Sequence, residues 1–155
     1  MRASELLSPA DVVLGFDPVD KWEAIHQLVE HLVHCGRLDA ELEEPVREAV
    51  LARERSMSTG MEQGVAIPHA AVEDISEIVG AMGVVRRDEG LEFESIDGQP
   101  ARVVVLLVIP KNQKLLHIRT LADIARVLTK DSVRQKLIAT VDADEAHAVL
   151  VAGSS

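Results

Sequence analysis

Apolar positions fall along this chain in two rhythms. Continuous runs at Val12–Phe16, Glu77–Arg86 and, most clearly, Arg102–Ile109 read as strands, the last buried on both faces of a sheet. Gly80 and Gly83 inside the second run call for a bulge or a close backbone approach. Between the runs the rhythm turns helical. Trp22, Ile25, Val29, Leu32 and Val33 recur at helical spacing over Lys21–Cys35. Asp17-Pro18 breaks the preceding strand, Asp20 suits the N-cap and Gly36 the C-terminal glycine position. A second helix is expected over Glu43–Arg55 with Pro45 in its first turn. A third starts near Leu115 or Leu116, with Leu121, Ile124, Ala125 and Leu128 as its stripe. Two more follow, capped by Asp131 (to about Ile138) and by Asp142 (to Leu150). Leu91–Ile96 reads as short extended chain between the turns Asp88-Glu89-Gly90 and Asp97-Gly98. Ser4–Leu7 reads as a lead-in, and Gly153-Ser154-Ser155 as a frayed tail. Strands separated by helical segments predict an α/β protein.

At 155 residues, one domain with a proper core is expected, residues 1–155 with the core over about 6–150. Apolar residues make up 47% and are overwhelmingly aliphatic; Phe16, Phe93 and Trp22 are the aromatics. The net charge of −10 argues against nucleic acid, whose phosphates require a basic surface, and against an anionic membrane surface. The longest apolar run, Val103–Ile109, is too short to span a bilayer. Cys35 is the only cysteine, so no intramolecular disulfide forms, which fits a reducing compartment. No apolar signal segment follows Met1-Arg2-Ala3-Ser4-Glu5, so a soluble, cytoplasmic protein is expected.

One stretch punctuates this pattern differently: Ser58-Thr59-Gly60-Met61-Glu62-Gln63-Gly64-Val65-Ala66-Ile67-Pro68-His69. It reads as a turn, a short buried strand over Val65–Ile67, and a stop at Pro68, which has no N–H for a ladder. His69 is then expected at a strand tip. Arg53 and Arg55 close the helix just before; cations suit a helix C-terminus, and one of them also has a path toward His69. His117 precedes Leu121 by four, placing it on the apolar face of the third helix, in the first turn after a strand-end loop, Lys111–Lys114. A core histidine and a functional one are both compatible with that place. His26, His31, His34 and His147 read as solvated, since no carboxylate or thiol stands at ligand spacing; no metal and no cofactor are expected. No Walker-type loop and no Gly-x-Gly-x-x-Gly segment occurs.

Taken together, Arg53-Glu54, Ser58-Thr59-Gly60, Gly64-Val65-Ala66-Ile67-Pro68-His69 and His117-Ile118-Arg119-Thr120-Leu121-Ala122-Asp123-Ile124-Ala125 resemble enzyme IIA domains of the bacterial phosphotransferase system, of the fructose/mannitol/nitrogen-regulatory type. The likeness runs from about Leu6 to Leu150 and is strongest over Arg53–Leu128. It implies a mixed β-sheet flanked by helices and a phosphocarrier. His69 would accept a phosphoryl group from the phosphocarrier HPr and pass it to a cysteine of an enzyme IIB component. His117 would be the second active-site histidine, and Arg53, rather than Arg55, would be the arginine that neutralises phosphate charge. Backbone N–H groups over Ser58–Gly60, or in the first turn near His117, are further candidates for anion contacts. Met57 and Met61 flank the active turn and suit either a docking rim or core filling.

The chemistry fits these residue types. Phosphorylating a histidine requires a neutral imidazole, and the ordinary imidazole pKa of about 6.5 supplies one near neutral pH. The rest is in-line positioning and stabilisation of charge on the equatorial oxygens. The alternative to a sugar-transport carrier is a nitrogen-regulatory-type module whose phosphohistidine is read by partner proteins. A metal-dependent hydrolase built on His69 and His117 is weaker, because neither has a carboxylate at ligand spacing.

Overall fold

The computed structural model describes residues 2–154. Its elements are α1 (Ala3–Leu6), β1 (Val12–Val13), α2 (Lys21–His34), α3 (Glu43–Ser56), β2 (Val65–Ala66), β3 (His69–Val72), β4 (Val79–Val84), β5 (Val103–Pro110), α4 (Lys114–Leu128), α5 (Asp131–Ala139) and α6 (Ala143–Gly153). Single 3₁₀ turns precede β1 (Pro9–Asp11) and α3 (Ala40–Leu42).

β5 organises the sheet. It pairs antiparallel with β4, from Val79↔Val108 to Val84↔Val103, and parallel with both β2 and β3 on its other side. β1 runs parallel to β4 at the far edge. The sheet is therefore mixed, as the family resemblance implied. Every residue of β5 is buried because both faces are covered. Val103, Val105, Leu107 and Ile109 join a core made with α1, α4, α5 and α6. Val104, Leu106 and Val108 face the opposite way, into a core made with α2 and α3. Alternation along one strand thus builds two cores, with helices on both faces of one sheet.

Local chemistry sets the boundaries. The Asp20 and Asp142 carboxylates accept from the N–H groups of Glu23 and Glu145, each at 2.8 Å, and start α2 and α6. Gly36 takes the left-handed conformation just after α2. Gly83 is required for a close approach: a Cβ there would lie 2.3 Å from the Phe16 ring. No bulge is needed, since the β4–β5 register is unbroken.

Several expectations are corrected. The first strand shrinks to Val12–Val13, and Phe16 instead packs as a core side chain. The second run pairs only over Val79–Val84. Leu91 makes a single bridge to Ala101, and Ser4–Leu7 is mostly helix. Asp131 is the first residue of α5, whose N-cap is Lys130 with no side-chain bond. Gly153 ends α6 and Ser154 N–H bonds Leu150 O at 3.1 Å, so these two are ordered; Ser155 lies outside the described residues.

Candidate active site

His69 opens β3 rather than closing a strand. Pro68 removes one ladder donor, yet its carbonyl still accepts from Leu107 N–H at 3.0 Å, and pairing resumes at His69↔Leu107. The expected strand tip is therefore a one-residue gap in a continuing edge. The gap matters for orientation. Ile67 points its backbone away from β5, donating N–H to Thr59 O at 3.1 Å. Its carbonyl then meets His69 Nδ1 at 2.8 Å. A carbonyl only accepts, so Nδ1 carries the proton, and in the neutral ring Nε2 keeps a free lone pair.

The turn before β2 is held from beneath by an acid to which the sequence pattern assigns no role. Glu54, 2% exposed, sits in the last turn of α3. Its carboxylate accepts from Thr59 N–H (3.0 and 3.1 Å) and from Thr59 Oγ1 (2.6 Å), with Ser58 Oγ at 3.2 Å. Gly60 N–H lies 3.3 Å from Ser58 Oγ. Thr59 and Gly60 thus have their N–H groups engaged within the protein, which corrects the expectation that they serve an anion. A sequence signal for Glu54 existed: an acid in a last helical turn opposes the helix dipole and here stands just before two hydroxyl residues. Gly60 is fixed by proximity, since a Cβ would fall 2.3 Å from the Glu94 carbonyl oxygen.

Arg53 closes the same helix. Its Nη1 donates to Met57 O at 2.8 Å, and among the described residues no carboxylate lies within ion-pair distance of it. Its charge acts on both His69 and His117. Arg55 is exposed. His117, in the first turn of α4, stacks edge to face with His69, ring centroids 5.1 Å apart and planes at 78°. Burial pushes the His69 pKa down; the Ile67 carbonyl opposes this, and the nearby Arg53 and His117 reinforce it. Burial, then Arg53, likewise lowers that of His117. Both rings are held toward the neutral form.

Beside His69 opens a cleft of about 280 Å³ among Arg53, Met57, Met61, Ile67, Ile96 and Leu121. A larger cavity of about 630 Å³ lies between Val19, Arg87, Phe93 and Pro100. The smaller one is the candidate site, because it alone of the two touches a perturbed histidine. The rim is apolar and open: Met57 is 68% and Ile96 69% exposed, and Leu115 and Ile118 flank His117 on α4 at 60% and 65%. Ile96 belongs to a loop that the sequence reading did not connect with the site.

The remaining histidines lie elsewhere. His26 and His34 are exposed; His31 and His147 are partly buried and meet the carbonyls of Ala10 (2.7 Å) and Ser4 (3.0 Å). The last two are thus tethers rather than solvated side chains. Among the described residues no group of three histidine, cysteine or acidic side chains is arranged to hold a metal ion. No helix is long and apolar enough to cross a membrane.

Residues 5–152 match the family described as phosphoenolpyruvate-dependent sugar phosphotransferase system, EIIA 2. The chain belongs to this family. This enzyme IIA domain is 33% identical over 150 residues to a nitrogen regulatory protein of Bradyrhizobium diazoefficiens, covering 97% of this chain and 95% of that one. It is 30% identical over 138 residues to the fructose-specific EIIABC component of Bacillus subtilis, covering 89% of this chain but spanning only 21% of that longer protein. Among solved structures, the IIA-Ntr protein of Neisseria meningitidis superposes with a TM-score of 0.80 at 28% identity, covering 95% of this chain and 97% of that one. The mannitol enzyme IIA of Escherichia coli, in complex with phosphorylated enzyme IIB, matches with a TM-score of 0.76 at 25% identity, covering 92% and 95%. The domain therefore has the IIA fold and the phosphocarrier role of its family.

Proposed function

We propose that His69 is the phosphoryl acceptor of this enzyme IIA domain and that it acts as a phosphotransferase between phospho-HPr and an enzyme IIB component in the cytoplasm. The observation that carries the reading is the Nδ1–H of His69 bonded to Ile67 O beside the His117 ring. The Nε2 lone pair attacks the phosphorus of phospho-HPr. The Nε2–P bond forms while the donor P–N bond breaks, and that electron pair returns to the donor nitrogen. In the second half-reaction an enzyme IIB thiolate attacks, an S–P bond forms, and the electron pair of the breaking N–P bond returns to Nε2. Throughout, Nδ1–H stays on the Ile67 carbonyl, so the ring neither rotates nor changes tautomer.

Charge accumulates on the three equatorial oxygens during each transfer. Arg53 supplies a guanidinium that among the described residues has no carboxylate partner, and its planar fork suits phosphate oxygens. His117 supplies a ring N–H. The apolar rim of Met57, Ile96, Leu115 and Ile118 gives a protein partner a small contact suited to transient docking.

A second role has its own support. The nitrogen regulatory relative aligns along almost its whole length, whereas the fructose-specific relative is far longer. In a regulatory role the same phosphohistidine is read by a target protein rather than discharged.

The test is incubation with phosphoenolpyruvate, enzyme I and HPr, followed by intact mass and acid lability. An acid-labile adduct absent from His69→Ala supports the carrier reading, and no adduct beside a labelled control IIA domain overturns it. Adding a purified enzyme IIB then separates the two roles, since only the transport carrier loses its phosphate to the IIB cysteine.

A further inference from the structure

Lys21 begins α2, on a different element from Arg53, His69 and His117, yet its Nζ lies 3.4 Å from Glu54 Oε1. The Glu54 side chain is fully buried and that of Lys21 is 14% exposed. The ammonium also sits over the Trp22 ring, 4.9 Å from its centroid, and 5.8 Å from that of Phe93. We propose that Lys21 and Glu54 form a positioning pair for phosphoryl transfer: Lys21 balances the buried charge of Glu54, and Glu54 holds the Ser58–Gly60 turn from which His69 is oriented. The proposal rests on reading His69 as the acceptor.

A buried carboxylate is tolerated only when it is paired and hydrogen-bonded. Glu54 meets both conditions through one turn and one cation. Thr59 N–H is shared between its two oxygens and Thr59 Oγ1 donates to one of them. That arrangement needs two acceptor oxygens. A glutamine would turn an NH₂ donor toward at least one donor of Thr59. The turn in turn carries Thr59 O, which fixes Ile67 N–H, whose own residue presents the carbonyl that orients His69. The path from Lys21 to the nucleophile is thus a continuous series of named bonds.

Lys21 reaches Glu54 from α2, Arg53 is the neighbour of Glu54 on α3, and His69 interacts with that carboxylate electrostatically from β3. Phosphorylation adds negative charge to His69, which the Glu54 anion opposes. Lys21 offsets that anion, so Arg53 remains available for the phosphoryl oxygens. Neither Lys21 nor Glu54 lines the cleft, so both act through other groups.

The experiment compares Lys21→Met, Lys21→Arg and Glu54→Gln with the unaltered protein. The rate of phosphoryl acceptance from phospho-HPr is measured across the pH range, and the His69 ring is titrated by ¹⁵N NMR on the same samples. Without Lys21 the buried Glu54 charge is uncompensated and the turn loosens, so Lys21→Met should slow transfer about tenfold. Lys21→Arg should restore the original profile. Glu54→Gln should be slow at every pH and should lower the His69 pKa further, because the anion that supports its protonation is gone. The inference is overturned if Lys21→Met and Glu54→Gln leave the transfer rate and the His69 titration unchanged, or if Lys21→Arg is as slow as Lys21→Met. If the unaltered protein accepts no phosphoryl group, the carrier reading fails, and the NMR titration alone then decides whether the pair governs His69.

Discussion

The Nδ1–H of His69 donates to the carbonyl oxygen of Ile67, two residues earlier, across 2.8 Å. The bond leaves one ring nitrogen with a lone pair directed away from the backbone. Phosphorylation is therefore expected on Nε2. Two-dimensional ¹H–¹⁵N spectra of the phosphorylated protein distinguish the two phosphohistidine isomers, and an Nδ1 adduct would contradict the assigned tautomer.

His117 is expected to act in the transfer and not in binding. Its ring stands 5.1 Å from that of His69, and burial and Arg53 keep it neutral, so it donates one hydrogen bond. Losing one such donor costs on the order of 10²-fold in rate at comparable sites. His117→Ala should lower kcat by about that factor, with little change in KM for phospho-HPr. A rise in KM alone would move His117 from the chemistry to the docking surface.

The neutral state of His69 also couples to stability. Burial holds its folded pKa below the value of about 6.5 found in the unfolded chain. Between those two values the unfolded state binds more protons, so the free energy of unfolding falls as pH falls. The full contribution is present above about pH 6.5 and is lost as pH drops to the folded value. Melting temperatures measured from neutral to mildly acid pH should fall more steeply for the unaltered protein than for His69→Gln. Parallel curves would show that the ring is not held neutral by the fold.

Two glycines make a contrast within one measurement. Gly60→Ala drives a Cβ to 2.3 Å from the Glu94 carbonyl oxygen, a side-chain carbon against backbone, whereas Gly15→Ala meets nothing within 4 Å. Overpacking of this kind costs about 1–3 kcal/mol, and the open site should stay within about 0.5 kcal/mol. Urea unfolding of the two variants reads the difference directly. Equal midpoints would mean that the Ser58–Gly60 turn is looser than it stands here.

The apolar rim offers a test of docking. Ile96→Asp and Met57→Lys place charges on side chains that are 69% and 68% exposed, so stability should move by no more than about 0.5 kcal/mol. Both should raise KM for phospho-HPr several-fold while leaving kcat nearly unchanged. A loss confined to kcat would argue that these residues shape the reactive geometry itself.

The patterns most visible in the sequence were those set by local chemistry. Asp20 and Asp142 cap helices through their own side chains, and Val103–Ile109 is apolar on both faces because both faces are covered. His69 and His117 stood out by their places after a strand and at a helix start, Arg53 by motif likeness, and the geometry brings the two rings together with the Arg53 charge acting on both. What was not legible depends on tertiary partners. Pro68 looked like a strand stop, because its carbonyl bond to Leu107 comes from a strand some forty residues away in the chain. Glu54 had no role legible in the sequence, because Lys21 and Thr59 close around it only in the fold. Ile96 reaches the site on a loop whose path is fixed by Ser58 Oγ on Glu94 O (2.6 Å) and Gln63 N–H on Asp97 (2.9 Å), both of which join distant segments.

The break at Pro68 has a further consequence for how this protein meets others. The sheet ends on one side at the two-residue strand β1. On the other it ends at an edge interrupted by a proline and overlaid by residues 59–61, through Ile67 N–H on Thr59 O and Met61 N–H on Val65 O. Neither border offers a long row of unpaired amides for a foreign strand to extend. Partners are thereby confined to side-chain contact, which releases quickly, and a protein that must meet a donor and then an acceptor in turn is kept from being trapped by either through strand exchange.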